Sequence, residues 1–276
     1  MMPRCWQKPS MVRAWSLAIQ ESMTRAFKHS GSFGDLIYGL ALVRHMGGGS
    51  FRVHLRNQDQ ICLESYGHLP WGYHKGRLTD QDYEQLEPLL RVQSYITDVR
   101  PYDGLEHVDY NLDRFRDLFK LKVNPGNFVD LYARRFGLEP TDQLRNTPWL
   151  TVPQPRPIEG KPVVINRSER YNREDANQRY FMLKESIGDQ AVFIGFEADY
   201  LRFSRQFSWD LPWVPTPTLL DMAEIIAGSE QFIGNQSAAL SMAIGLGQTY
   251  YCEQSNLSDP KNNECYFANN PRGSYF

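Results

Sequence analysis

The sequence predicts an α/β protein built of two Rossmann-like lobes whose parallel sheets face one another across a cleft. Three observations carry that expectation. A strand, a glycine turn, a helix and a second strand follow one another near the start of the chain. From residue 163 onward, short apolar runs again alternate with helical patterns. Between them, residues 138–159 hold Pro140, Pro148, Pro153, Pro155 and Pro157, which favour stiff extended chain over helix. The length of 276 residues suits two domains of ~100–200 residues each.

In chain order, residues 1–22 carry Arg4, Lys8 and Arg13 and no acid within the first twenty, but Arg13 breaks the apolar stretch that a secretory signal needs. They are read as an extension, and the first lobe is assigned to 23–150. A short strand is expected over 25–30. Leu36, Ile37, Leu40, Val43 and Met46 then recur at helical spacing until Gly47-Gly48-Gly49 stops the helix. Phe51, Val53 and Leu55 alternate with Arg52 and His54 as in a strand. The pattern suggests a helix over 82–92, interrupted at Pro88, a strand over 95–99 and a helix over 127–136. The second lobe, 160–276, reads as strands over 163–166, 191–195, 231–234 and 248–252. Helices are expected over 178–187, 197–203, 218–227 and 237–246, with Thr218 and Asp221 spaced as a capping box.

Composition narrows the function classes. Hydrophobic residues at 41% supply packed cores, which argues against wholesale disorder. Thirty basic against 32 acidic residues leave a net charge of −2, so nothing indicates a nucleic-acid-coating protein; nucleic acid stays open as an acceptor. No apolar run nears the ~18 residues that span a bilayer. Cys5, Cys62, Cys252 and Cys265 contain no CxxC pair, against a zinc ribbon or thioredoxin-like site. The expectation is four reduced thiols in a cytoplasmic protein. No His/Asp/Glu cluster has metal-ligand spacing, so the residues point to no metal site.

Three motifs stand where chemistry is done. In Gly31-Ser32-Phe33-Gly34-Asp35, a glycine turn opens a helix, so that backbone N–H groups can approach an anion or sugar. Neither a dinucleotide fingerprint nor a P-loop is present. Asp35 suits either a helix-start carboxylate stabilised by the dipole or a base that takes a proton from an attacking hydroxyl. In Ile233-Gly234-Asn235-Gln236-Ser237-Ala238-Ala239, a strand end meets an Ala-rich helix, and its free N–H groups with Ser237 can cradle a diphosphate or merely cap a helix. Asn166-Arg167-Ser168-Glu169-Arg170 opens at a strand end, where arginines neutralise phosphate charge or line a solvated loop. Weaker signals are Asn111 and Asp113 as cleft-lining groups, and Trp209, Trp213, Tyr250 and Tyr251 as stacking or core aromatics.

Together these residues resemble a known family. KHSGSFGDLIYGLALVRHMGGG (28–49) is similar to the amino-terminal signature of GT-B-fold glycosyltransferases related to the ADP-heptose:lipopolysaccharide heptosyltransferases. TLLDMAEIIAGSEQFIGNQSAALSMAIGLG (218–247) is similar to their nucleotide-diphosphate-binding segment. The resemblance implies a metal-independent inverting transferase with no cofactor beyond its nucleotide-diphospho-sugar substrate. It places Asp35 as general base; Gln236 and Ser237 fall where the family has its Asp-Ser/Thr-Gly cradle. Gln236 replaces the acid, Ala238 the glycine, and Leu240-Ser241 stand where a histidine is usual. Arg167 or Arg170 stands in for the family's lysine. The donor-binding set is then Gly34, Arg167, Ser168, Arg170, Asn235, Gln236 and Ser237, and the acceptor is a glycan or another hydroxyl compound. Two other classes fit the same fold: a non-catalytic sugar-nucleotide-binding or assembly protein, and a sugar-nucleotide epimerase.

Overall fold

The computed structural model describes residues 25–56, 77–121, 126–169, 172–254, 265–267 and 270–276. The extension 1–22 lies outside them. The first strand expected is β1 (Ala26–His29), and its chain turns through Ser30–Ser32 into α1 (Phe33–His45). β2 (Gly49–Val53), α2 (Asp80–Arg91) and β3 (Ile96–Pro101) follow. A two-residue strand β4 (Tyr110–Asn111) leads into a 3-10 helix, Leu112–Leu121, and then α3 (Phe128–Arg135) and α4 (Asp142–Asn146). The strands run parallel in the order β3-β2-β1-β4. The glycine run that ends α1 has a second use. A Cβ on Gly48 would overlap the Tyr95 carbonyl, so glycine there lets β2 approach the chain entering β3.

The second lobe holds β5 (Val163–Asn166), α5 (Asn177–Ile187), β6 (Ala191–Ile194), α6 (Glu197–Phe207), β7 (Trp213–Val214), α7 (Leu219–Gly228), β8 (Gln231–Asn235), α8 (Ala238–Leu246), β9 (Tyr250–Glu253) and β10 (Gly273–Tyr275). All six strands are parallel, in the order β10-β9-β8-β5-β6-β7. Counted from β5, that is the Rossmann order 3-2-1-4-5-6 read from the other edge. The order reverses between β5 and β8, so a crevice opens beyond their carboxyl ends. Thr218 caps α7 with the expected reciprocal bonds to Asp221.

Several elements differ from the sequence reading. The helix over 82–92 starts at Asp80, because Thr79 forms a capping box with Asp82, and Pro88 sits inside without ending it. The 3-10 helix, α4, β7 and β10 carried no usable periodicity, being too short or wound at the wrong period. The proline-rich stretch is extended after α4, as expected, yet it is tightly packed. The N–H groups of Trp149 and Leu150 both donate to the Gly245 carbonyl, at 2.8 and 2.9 Å, and Trp149 Nε1 donates to the Ile37 carbonyl at 3.0 Å.

One apolar core spans both lobes. α1 packs on α8, and residues of both helices share the same buried cluster. This explains why α1 is buried nearly all round, from Asp35 to Val43, rather than along a single stripe. The small residues of α8 serve that contact: Gly34 lies against Ala238, with room for a Cβ at 3.8 Å from its Cα. The first turns of α1 and α8, one from each lobe, therefore meet.

Candidate functional site

The amino-terminal wall is built from β1. The Gly31 N–H donates to His29 Nδ1 at 2.8 Å, which makes Nε2 the protonated nitrogen. Nε2 lies 2.6 Å from the Tyr132 hydroxyl, and that hydroxyl donates to the Asp35 main-chain carbonyl at 2.8 Å. The relay ties the start of α1 to α3. Burial lowers the His29 pKa to about 4; Asp113 opposes this, while Arg116, Lys28 and Arg77 reinforce it. The ring is therefore neutral near pH 7. A side chain on Gly31 would overlap His29 and crowd Asp35 Oδ2 at 2.9 Å, so only glycine keeps the turn closed.

Asp35 lies in the first turn of α1 and is buried to 8% exposure. Arg116, from the 3-10 helix, donates through Nη2 to Asp35 Oδ2. Asp113 does not line the cavity. It accepts from the Ser30 N–H at 2.8 Å and pairs with buried Lys28 at 3.3 Å, fastening the turn after β1. Burial pushes the Asp113 carboxyl up, but His29, Lys28 and the Ser30 N–H outweigh it and hold the group below its ordinary range. Asn111 supports Asp113 in turn, accepting from its N–H at 3.2 Å.

The carboxy-terminal wall stands at the β5/β8 switch point. Asn235, fully buried, clamps the loop after β5: its Oδ1 accepts from the Ser168 N–H at 3.1 Å and its Nδ2 donates to the Ser168 carbonyl at 2.8 Å. Ser237 stands at the N-cap of α8, but its hydroxyl donates to Asn166 Oδ1 at 3.1 Å. Among the described residues, no side chain caps α8, nor does Ser32 cap α1. Both first turns thus present N–H groups without side-chain partners, and the helix dipole adds partial positive charge there.

Between the walls is a cavity of about 400 Å³, a size usual for small-ligand sites. Of the expected residues, Gly34, Asp35, Ser168, Gln236 and Ser237 line it together. Asn235 stands behind Ser168 as its clamp. Arg167 does not reach it. Its guanidinium forms a two-pronged pair with Glu253, at 2.6 and 2.9 Å, and stacks over the Tyr180 and Phe207 rings. Arg170 lies outside the described residues. Trp209, Trp213, Tyr250 and Tyr251 are absent from the lining, and Trp209 and Tyr250 are core residues.

Other lining groups escaped the sequence reading: Gln85 from α2, Tyr38 and Phe128 stacked at 4.8 Å, exposed Phe196, and Thr216. The Thr216 hydroxyl oxygen is buried with no hydrogen-bond partner among the described residues. No lysine or arginine lines the cavity among the described residues. A capping pattern could have located the start of α2 and hence Gln85. Nothing local marks Thr216 or Phe196. No group of three or more His, Cys, Asp or Glu arranged to hold a metal is found among the described residues. No described helix is long and apolar enough to cross a membrane.

No protein-family model matches the chain, and no curated protein is significantly similar to it. Solved structures similar to it include the glycosyl transferase family 9 protein from Veillonella parvula, 11% identical, with 92% of this chain and 86% of that chain covered and a TM-score of 0.59. Another is the dodecameric iron-containing heptosyltransferase TibC in complex with ADP-D-beta-D-heptose. It is 14% identical, with 90% of this chain and 62% of that chain covered and a TM-score of 0.51. At these identities the likeness is one of fold. The chain has the two-lobed, GT-B-like α/β fold of these glycosyltransferase structures, the architecture expected from its sequence.

Proposed function

We infer that the chain is a glycosyltransferase that moves a sugar from a nucleotide-diphospho-sugar to an acceptor hydroxyl in the cytoplasm. The observation that carries this is the meeting of Asp35, from one lobe, and the uncapped start of α8, from the other, on the walls of one cavity. The likeness in fold to glycosyltransferase structures supports it. The donor's diphosphate lies against the N–H groups of the first turn of α8, from Ala238 onward, with Ser168 beside them. Gly34 leaves space for it, and Thr216 with Phe196 meets the nucleoside. The acceptor oxygen attacks the anomeric carbon from the side of Asp35, which takes the hydroxyl proton. The bond from that carbon to the diphosphate breaks, and the diphosphate leaves with the electron pair. Attack opposite the leaving group inverts the anomeric centre. The helix start, rather than a metal, stabilises the departing charge.

The reading departs from the sequence-based one in several assignments: Asn235 clamps the loop at Ser168, Asp113 and Asn111 fasten the turn after β1, and Arg170 lies outside the described residues. Arg167 supports the lobe through Glu253, and the donor set proposed here omits it. A second reading, nucleotide-sugar binding without transfer, is favoured by the Arg116 bond that occupies Asp35 Oδ2. Thermal shifts against nucleoside diphosphates and nucleotide sugars test the binding site; ligand at ~100 times its Kd adds ~2.7 kcal/mol. Asp35→Asn is then expected to keep donor binding and to lose turnover by ~10²–10⁴-fold, the usual worth of a general base. Full activity in that variant removes Asp35 from the mechanism. Binding without turnover in the wild type, across a broad acceptor panel, favours the second reading.

A further inference from the structure

Thr216 stands between two prolines in Pro215-Thr216-Pro217-Thr218, the link from β7 to α7. A loop threonine ordinarily bonds a nearby backbone N–H, often that of the residue two on. Here Pro217 has no N–H, and the Thr218 N–H donates to Asp221 Oδ2 at 3.0 Å within the capping box of α7. Pro217 also disfavours the helical region for Thr216 and keeps its chain extended. The Thr216 hydroxyl oxygen is thus buried on the cavity wall with no hydrogen-bond partner among the described residues. Its place in the sheet says which part of a ligand it meets. β6 and β7 pair in register, Ile194 beside Val214, so Phe196 and Thr216, each two residues further on, leave the sheet side by side. The Trp213 indole N–H ties the two chains together, donating to the Gly195 carbonyl at 3.0 Å. Phe196 lines the cavity and is 64% exposed, so its ring is open to a ligand.

In the order β8-β5-β6-β7, the end of β7 lies three strands from the end of β8, roughly 14 Å at ~4.8 Å per strand. A donor with its diphosphate on α8 and its transferred sugar toward Asp35 sends its nucleoside the other way, along the sheet edge, and the base lies furthest out. A nucleobase offers a flat face that stacks on an aromatic ring and an edge of ring nitrogens, carbonyls and amines that a hydroxyl can pair. We propose that Thr216 is a specificity-determining residue that hydrogen-bonds the edge of the donor's nucleobase while Phe196 stacks on its face. The proposal rests on the nucleotide-diphospho-sugar reading for the identity of the ligand alone. Removing the hydroxyl leaves a group of the bound base unpaired in a sheltered place, whereas the free protein gives up no hydrogen bond.

The test compares the wild type with Thr216→Val, which keeps the shape of the side chain and drops the hydroxyl. Calorimetry measures the affinity of each for ADP, GDP, UDP and CDP, and for ribose 5-diphosphate, which lacks the base. Thr216→Val is expected to weaken the preferred nucleoside diphosphate about tenfold and to narrow its margin over the other three, with ribose 5-diphosphate held within about twofold. Thr216→Ser, which restores the hydroxyl, is expected to recover most of the loss. The melting temperature of ligand-free Thr216→Val should hold or rise, because the hydroxyl bonds nothing in the free protein. A fall of several degrees would show that the hydroxyl has a partner within the protein, and it overturns the proposal. Equal weakening of ribose 5-diphosphate, an unchanged margin among the four bases, or no nucleoside diphosphate binding by the wild type also overturns it. Base selection that depends on the hydroxyl, without transfer from any nucleotide sugar, sinks the transferase reading and leaves this assignment. Transfer whose choice of nucleotide is indifferent to Thr216→Val does the reverse.

Discussion

Replacing Glu253 separates a structural from a ligand-binding role for Arg167. The Glu253 carboxylate accepts from Arg167 Nε at 2.6 Å, Arg167 Nη2 at 2.9 Å, the Arg173 N–H at 2.8 Å and the Tyr180 hydroxyl at 3.1 Å. The two side chains are 3% and 0% exposed. Glu253→Ala therefore strands a guanidinium where water cannot reach it, at a cost of about 3–5 kcal/mol. With a urea slope of ~2–3 kcal/mol/M, the unfolding midpoint falls by roughly 1–2 M. Arg167→Met strands the carboxylate instead and loses a similar amount. Arg167→Met with Glu253→Leu removes both charges together, and its loss is expected to be smaller than the sum of the single losses by about 2 kcal/mol or more. Urea titrations followed by tryptophan fluorescence measure all three. A loss below ~1 kcal/mol in Glu253→Ala would refute the reasoning, given what a buried unpaired charge costs. An unchanged midpoint in Arg167→Met, accompanied by lost nucleoside diphosphate affinity, would return Arg167 to the ligand.

Two further outcomes follow from the amino-terminal wall. His29 has a folded pKa of about 4 against 6.5 unfolded, so between those values the unfolded chain holds a proton that the folded chain does not. Its contribution is complete above the unfolded value and declines as pH falls through that window, by roughly 3 kcal/mol overall. His29→Gln should flatten this part of the stability curve, compared by urea melts at about pH 7 and about pH 4.5; equal slopes in both proteins would count against a neutral buried ring. The glycines of the turn should differ. Gly31→Ala overlaps His29 and crowds Asp35, and is expected to lose about 1–3 kcal/mol. Gly34→Ala meets only ordinary contact at 3.8 Å and replaces a poor helix former, so its melting temperature should hold or rise. A large loss in Gly34→Ala would show that the two helix starts pack more tightly than the structure indicates.

The sequence alone settled the class of sheet and the order of the longer elements, but not the 3-10 helix, β4, α4, β7 or β10. Alternation in Phe51 and Val53, helical spacing from Leu36 to Val43 and the βα rhythm after residue 163 are local properties, and local pattern is what backbone geometry reads. The glycine turn before Asp35 and the strand end at Asn235 were legible for the same reason: strand-to-helix turns need small residues and polar groups in known places. The tertiary structure decided which of these groups share a wall. Arg167 and Glu253 are 86 residues apart in sequence and become partners only because β8 seats β5 and β9 on its two sides. A charge pattern cannot foretell that an arginine at a strand end has a buried carboxylate waiting for it. Arg116 likewise belongs to Asp35 through the packing of a 3-10 helix, across 81 residues of sequence. The cavity itself arises from α1 meeting α8, an encounter between lobes that depends on the fit of two surfaces rather than on the periodicity of either helix.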